Sequence, residues 1–363
     1  MTKVLIIGPK FHYFNGCIER AFRTLGYETC TLAYDNPVHP YNWVNKVRYK
    51  FSQDKLRLKR QSRALWQSEV NRAYEQYRPE LVFMMNGDML LPETLKAWRR
   101  QGTKVALWFF DSMTHIPLCE DNITAVDAVF CYEQTDIPII RERYGVEAHF
   151  LPQAVDTQLY YPIAGAEKKY DIVFAGDLVH SRKRREVAQA IVAHYPNLRI
   201  RVWGEYKPWY KNFWTWLTRE RRDVYTNCNA SVAQLNADYN AARIVLNIHN
   251  EQQQDGANPK IYEIAATGVY QVCDANPYIE RLFAHQELGL YRLGAEEDVD
   301  HRFDELYRRI DEALSADKTK QAEAARQIVV TGHTFEQRVQ QVLSTIYAEQ
   351  SGESPINKSR DEK

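Results

Sequence analysis

Eleven short apolar runs, each of strand length and each separated from the next by a helix-length or turn-length segment, constrain this chain more than any other feature. The first series comprises KVLIIG (3–8), ETCTLAY (28–34), ELVFMMN (80–86), KVALWFF (104–110), AVDAVFCY (125–132) and AHFLP (148–152). The second comprises DIVFAG (171–176), LRIRVWG (198–204), ARIVLNI (242–248), VYQVCD (269–274) and LYRLG (290–294). Strands spaced by helices cannot close as tight hairpins, so they pair in parallel through crossovers, and runs this apolar are those of sheets covered on both faces. The pattern predicts an α/β protein of two Rossmann-like domains. A chain of 363 residues exceeds one ordinary core, in agreement. The domains are expected at 1–155 and 156–334, with a hinge in the polar stretch 153–169, which carries Pro162 and Gly165. Helices near 301–315 and 335–349 end the fold, and the polar tail 350–363 is expected to be disordered.

Charge narrows the function classes. Lys plus Arg and Asp plus Glu both number 47. A neutral chain lacks the attractive field that a general nucleic-acid binder needs. The opening MTKVLIIGPK has too short an apolar run for a signal peptide, and no stretch approaches the ~18 apolar residues of a membrane span, so a cytoplasmic location is expected. Six cysteines (17, 30, 119, 131, 228, 273) show no metal-ligand spacing and read as reduced thiols in or near the core.

In open α/β sheets ligands gather at the carboxyl ends of the strands. That rule selects His12, Asp88, Asp111 and Glu133 in the first domain, and Asp177, Glu205, Asn250 and Asp274 in the second. The first loop, GPKFHYFNG, is not the GxGxxG of a dinucleotide site. Asp111 ends an apolar strand and is followed by Ser112 and His115, a group able to meet a hydroxyl; the plainer role is a cap for the next helix. If a reaction here needs a general base, Asp111 or His12 can serve.

The densest chemistry lies in DGANPKIYEIAATGVYQVCDANPYIERLF (255–283). Asn258 suits a helix cap, Pro259 the first helical position and Gly268 a left-handed end, which predicts a helix over roughly 259–267. Gly256 lets a phosphate approach the loop, and Lys260 adds a charge to the first turn. Glu263 shares a face with Lys260 and Thr267, leaving Ile261, Ile264 and Ala265 for a core; a carboxylate there suits two vicinal ribose hydroxyls.

This block resembles the donor-site motif of GT-B glycosyltransferases, in particular the CgeB-like (spore-maturation-type) family, whose pattern N-x-R-x-F-E-x-x-A-x-G is met by Asn258, Lys260, Tyr262, Glu263, Ala266 and Gly268. Lysine and tyrosine replace the usual arginine and phenylalanine, keeping the charge but not bidentate recognition. Similar family features occur at WFFDS (108–112), LPQAVDTQLYYP (151–162), YDIVFAGD (170–177) with Arg182, VWGE (202–205), YNAARIVLNIH (239–249) and HTFEQRV (333–339). The resemblance implies two Rossmann-like domains facing across a cleft, acceptor side first and donor side second, with the helix 335–349 returning to the first. It implies transfer of a sugar from a nucleotide-diphosphate sugar to an acceptor hydroxyl, on a cell-envelope glycan, a lipid-linked saccharide or a protein. Glu263 would then hold the ribose, Lys260, Arg182 and the loop Gly256, Asn258 the diphosphate, and Asp255 the donor sugar, since Asp255 and Glu263 keep the eight-residue spacing of the paired glutamates in the broader retaining enzymes. With arginine, lysine and a helix N-terminus on the leaving group, no metal or further cofactor is expected. Two alternatives share the layout: a nucleotide-sugar 2-epimerase, which needs no acceptor, and a non-catalytic nucleotide-sugar-binding protein.

Two stretches concern partners. Between 46 and 63 stand Lys46, Arg48, Lys50, Lys55, Arg57, Lys59, Arg60 and Arg63 against Asp54 alone. Between 206 and 222, Trp209, Phe213, Trp216 and Leu217 recur at helical spacing among Lys207, Lys211, Arg219, Arg221 and Arg222. Such mixtures suit the anionic inner face of a membrane, or else a solvated helix and a core-packing insertion.

Overall fold

A computed structural model describes residues 1–10, 13–34, 38–40, 42–116, 118–205, 224–251, 253–298 and 300–351. The expected base His12, the aromatic stretch 206–222 and residues 352–363 of the tail lie outside the described residues. The chain divides into two compact units, 1–152 with 335–363, and 153–334. The second is therefore an insertion between consecutive elements of the first.

All eleven apolar runs form strands. In unit 1, β1 (Lys3–Pro9), β2 (Glu28–Tyr34), β3 (Leu81–Met85), β4 (Lys104–Phe109), β5 (Ala128–Cys131) and β6 (Ala148–Phe150) make one parallel sheet in the order β2-β1-β3-β4-β5-β6. The pleat sends Leu5, Ile7, Val82, Met84, Val105 and Leu107 into one core with Trp66, Val70, Tyr74 and Trp98. Opposite, Phe22 of α1 (Phe14–Thr24) lies edge-on to Phe83, the centroids 5.6 Å apart. Both faces are covered, which explains runs that are apolar throughout instead of alternating. The helix α12 (Phe335–Ser351) belongs to this unit: Phe335 sits 6.2 Å from Phe14, Arg338 Nε donates to Pro152 O at 2.8 Å, and Gln341 Nε2 to Phe150 O at 3.0 Å.

Unit 2 repeats the plan with β7 (Tyr170–Ala175), β8 (Ile200–Trp203), β9 (Ala242–Asn247), β10 (Tyr270–Asp274) and β11 (Gly289–Tyr291), parallel, in the order β11-β10-β9-β7-β8. In each sheet the first strand lies between the second and third, so the winding reverses there and opens a crevice at the strand ends. Gly204, just after β8, has φ +138° and lies so near Gly176 O that a Cβ would stand 1.9 Å away; only glycine permits that approach. Residues 153–169, where a hinge was expected, are partly fastened to α7 (Val232–Asn240): Tyr161 N donates to Asn236 Oδ1 and Ile163 N to Asn240 Oδ1. The crossing from unit 1 falls at the start of that stretch, and Val155 N bonds His333 O where the chain crosses back.

The basic stretch 46–63 is not one solvated helix. It breaks at residues 52–54 into α2 (Trp43–Phe51) and α3 (Lys55–Tyr77), the latter capped by Asp54, which accepts from Arg57 N. Lys59 and Arg63 turn inward. Lys59 Nζ lies 2.7 Å from buried Asp88, whose other oxygen takes Tyr34 Oη at 2.5 Å, and Arg63 binds Leu90 O and Asp121. Asp88, a strand-end candidate, is thus a structural counter-ion.

Candidate functional site

The strand ends of unit 2 carry an ion network assembled from three loops. β9 delivers His249, β10 ends in Asp274, and α6 (Arg182–His194) follows β7 and is capped by Ser181. Asp274 accepts from His249 N at 2.9 Å and pairs with His249 Nδ1 at 2.8 Å, while Lys183 closes onto its other oxygen. Burial alone would raise the Asp274 carboxyl; His249 and Lys183 outweigh it and hold it well below the usual carboxylate range. Glu251 stitches the loop after β9 to α6, accepting from Ser181 Oγ at 2.9 Å and Lys183 N at 2.7 Å. Arg184 Nε donates to Ile248 O at 2.8 Å, across the point where the sheet reverses.

The motif helix α8 (Lys260–Ala266) starts at Pro259 and ends before Gly268, which takes φ +71°, as expected of a left-handed stop. Its cap is not as expected. Asn258 does not cap with its side chain but donates through Nδ2 to Asn247 Oδ1 at 2.8 Å. That choice leaves Asn258 Oδ1 and Asn247 Nδ2 buried without a hydrogen-bond partner, as is His249 Nε2 nearby on the same loop. Tyr262, where the family pattern has phenylalanine, gives its hydroxyl to the hydroxyl pair with Tyr278 at 2.7 Å and stacks on His333. Lys260 is half-buried; desolvation lowers its ammonium below the usual lysine range, with Glu263 opposing and Arg184 assisting. Lys260, Glu263 and Arg184 therefore share one electrostatic neighbourhood, and Glu263 is buried.

One sequence expectation changes. Arg182 stands in solvent, bonded to Glu186 at 2.5 Å and near Glu296; the cations that reach the strand ends are the next two residues, Lys183 and Arg184. The register of α6 decides this, because a Ser181 cap sets which of four successive basic residues faces the sheet. Asp255 is engaged by Arg281 at 2.7 Å, and Gly256 O accepts from Asn276 Nδ2 at 2.7 Å, so the start of α9 (Pro277–Leu282) braces this loop. His249 and Arg281 were missed by sequence reasoning.

A cluster of His249, Cys273 and Asp274 has donor atoms within 4.8 Å of one another. Its chemistry does not fit a metal: Lys183 already neutralises Asp274, and burial pushes the Cys273 thiol far up, keeping it protonated.

In unit 1, Asp111 follows β4 at the surface. It does not cap the turn that follows: Asp136, at the start of α5 (Asp136–Tyr144), takes Met113 N at 2.9 Å and Ser112 Oγ at 2.8 Å instead. Among the described residues Asp111 has no hydrogen-bond or ion-pair partner. Desolvation by the surrounding wall raises its carboxyl pKa, His115 opposing and Asp88 adding to the rise. Glu133 is buried and accepts from Thr135, and Asp177 ties its own loop through Val179 N, His180 N and the His180 ring.

Residues 182–344 match the sequence profile of a family described as glycosyl transferase-like. A search of curated proteins returns no match. Among solved structures the chain resembles sucrose-phosphate synthase from Thermosynechococcus elongatus (TM-score 0.65, 11% identity, 96% of this chain and 100% of that one). It also resembles the α,α-trehalose-6-phosphate synthase of Burkholderia multivorans (0.63, 11%, 97% and 97%) and AviGT4, a glycosyltransferase of avilamycin A biosynthesis (0.57, 14%, 97% and 99%). At such identities the likeness speaks for the fold, which is GT-B. The family match covers α6, α8 and the loops after β9 and β10, and does not favour an epimerase or a non-catalytic binder. The architecture is thus GT-B, and the glycosyl transferase-like profile match over residues 182–344 supports sugar transfer as the activity.

Proposed function

We propose that the enzyme takes its sugar from a nucleotide-diphosphate donor held by unit 2 and passes it to an acceptor hydroxyl served by unit 1. The observation that carries this reading is the pairing of buried Glu263 with half-buried Lys260 on one turn of α8, beside Arg184. A buried carboxylate suits the two ribose hydroxyls, and two cations in a desolvated corner suit the diphosphate. The unpaired buried atoms Asn247 Nδ2, Asn258 Oδ1 and His249 Nε2 offer further bonds to a polar ligand. Asp255, steadied by Arg281, is assigned to the donor sugar.

The acceptor oxygen bonds to the anomeric carbon while the bond from that carbon to the diphosphate breaks, and the negative charge that develops on the leaving diphosphate is met by Lys260 and Arg184 without a metal. If the carbon inverts, the hydroxyl proton passes to Asp111, whose raised pKa suits a base better than that of an ordinary surface aspartate; if it retains its configuration, the proton passes to the leaving diphosphate oxygen. His12 is the second candidate. Within the architecture we place the chain with the CgeB-like branch on the block from Asn258 to Gly268, and we take the acceptor to be a cell-envelope glycan, a lipid-linked saccharide or a protein, presented at the inner face of a membrane.

Calorimetry with UDP, GDP, dTDP, ADP, CMP and their common sugars tests the donor half. One nucleotide diphosphate is expected to bind, and Glu263→Ala to lose it; no binding by any member, or equal binding by the variant, would overturn the assignment.

A further inference from the structure

The helix α2 is built as if to lie on a surface that is not protein. Asn42 caps it, accepting from Asn45 N at 2.9 Å, yet none of its residues is buried. At ~100° per residue, Trp43, Val44, Val47 and Phe51 fall within an arc of about 100°. All four are exposed, Trp43 by 77% and Phe51 by 75%. Arg48 and Lys50 border that arc on either side, and opposite it lie Asn45 and Tyr49, the helix's only half-buried residues. The apolar face thus points away from the fold. A helix this short has little stability of its own in water, so an uncovered apolar stripe on it needs a cover.

Charge identifies the cover. Lys46, Arg48, Lys50, Lys55, Arg57 and Arg60 are exposed on α2 and the start of α3, against one exposed acid, Asp54, which is committed to capping. In a chain with 47 basic and 47 acidic residues this concentration is local and strong. A second copy docking face to face would bring these cations against their equivalents, whereas an anionic bilayer offers both apolar depth and negative charge.

We infer that α2 seats unit 1 on an anionic lipid surface, with Trp43, Val44, Val47 and Phe51 entering the headgroup boundary and the flanking Lys and Arg held by lipid phosphates. The inference extends the membrane-facing part of the proposed function but does not depend on the donor chemistry.

The test is sedimentation of the full chain with phosphatidylcholine vesicles, with and without phosphatidylglycerol, at low and high salt. The protein is expected to pellet with the anionic vesicles only and to be released by salt. Trp43→Glu with Phe51→Glu should abolish pelleting while leaving the thermal midpoint and nucleotide-diphosphate binding unchanged, since α2 contributes no core residue. Arg48→Gln with Lys50→Gln should weaken partitioning roughly 25-fold, at about fivefold per charge. Absence of pelleting, pelleting that the Trp43 and Phe51 variant retains, or a dimer in solution that this variant dissolves would each overturn the inference. Vesicle binding by a protein that binds no nucleotide diphosphate would instead leave it standing and sink the donor reading.

Discussion

The ends of β9 and β10 in unit 2 and the end of β4 in unit 1 occupy comparable places in two sheets wound alike. They are furnished in opposite ways. In unit 2 the charged groups satisfy one another: Asp274 with His249 and Lys183, Glu251 with Ser181 and the α6 backbone, Asp255 with Arg281. In unit 1 the polar groups near β4 are likewise spent on structure, Asp88 on Lys59 and Asp136 on the turn at Met113, but among the described residues Asp111 has no such partner. A site for a charged, oxygen-rich donor gains from side chains fixed before the ligand arrives, because little ordering remains to oppose binding. A group that takes a proton gains from being unpartnered and slightly desolvated.

The largest effect that would break this comparison is expected at Glu263. Glu263→Gln keeps the shape but loses the charge, and should lower kcat/KM by about 3 kcal/mol or more, two charge-assisted bonds being at stake, with an unchanged circular dichroism spectrum. Asp274→Asn should cost about 3–5 kcal/mol of stability in denaturant titration, because it leaves Lys183 without its counter-charge. The folded pKa of Asp274 is depressed, so its contribution is complete above the ordinary value of ~3.9 and fades as pH falls from there towards the folded value. The variant should therefore lose stability at neutral pH but show a shallower acid limb.

Asp111→Asn should lower turnover by about 100-fold if the reaction inverts, with donor affinity and melting temperature unchanged, and the wild-type rate should fall with acid at a pH above that of an ordinary aspartate. Lys260→Met separates binding from stability. Its folded pKa is lowered, so the native state at neutral pH bears a disfavoured charge and gains stability as pH rises through that pKa towards ~10.4. The variant should melt higher, lose this pH dependence, and bind a nucleotide diphosphate about tenfold more weakly, as expected when one desolvated charge-assisted bond is lost. Smallest of all, Arg182→Ala should leave donor affinity within about twofold, whereas Arg184→Ala should not, since only Arg184 shares the Lys260 neighbourhood.

Strands were legible because apolar runs of this length have few other uses. The core helix faces and the Gly268 stop were equally readable, being local. What the sequence hid was long-range or depended on one residue of register. The strand-end rule picked Asn250 because the run ARIVLNI reads through Ile248, but β9 stops at Asn247 and His249 becomes the residue that meets Asp274. Asn258 looked like a cap because nothing local shows that Asn247, eleven residues back, will claim its side chain. Four basic residues in a row after Ser181 could not be ranked without the turn of α6. The apolar stripe of α2 was in plain view at helical spacing, and the neighbouring charges drew attention from it.

The insertion of unit 2 within unit 1 has a mechanical consequence. Both β1 and α12 belong to unit 1, and the chain enters and leaves unit 2 at adjoining positions, joined by the Val155–His333 bond. Tension drawn between Lys3 and Ile346 would load unit 1 in shear and leave unit 2 slack until α12 peels away. Stretched that way, the protein should yield in two steps, with unit 2 released intact by the first.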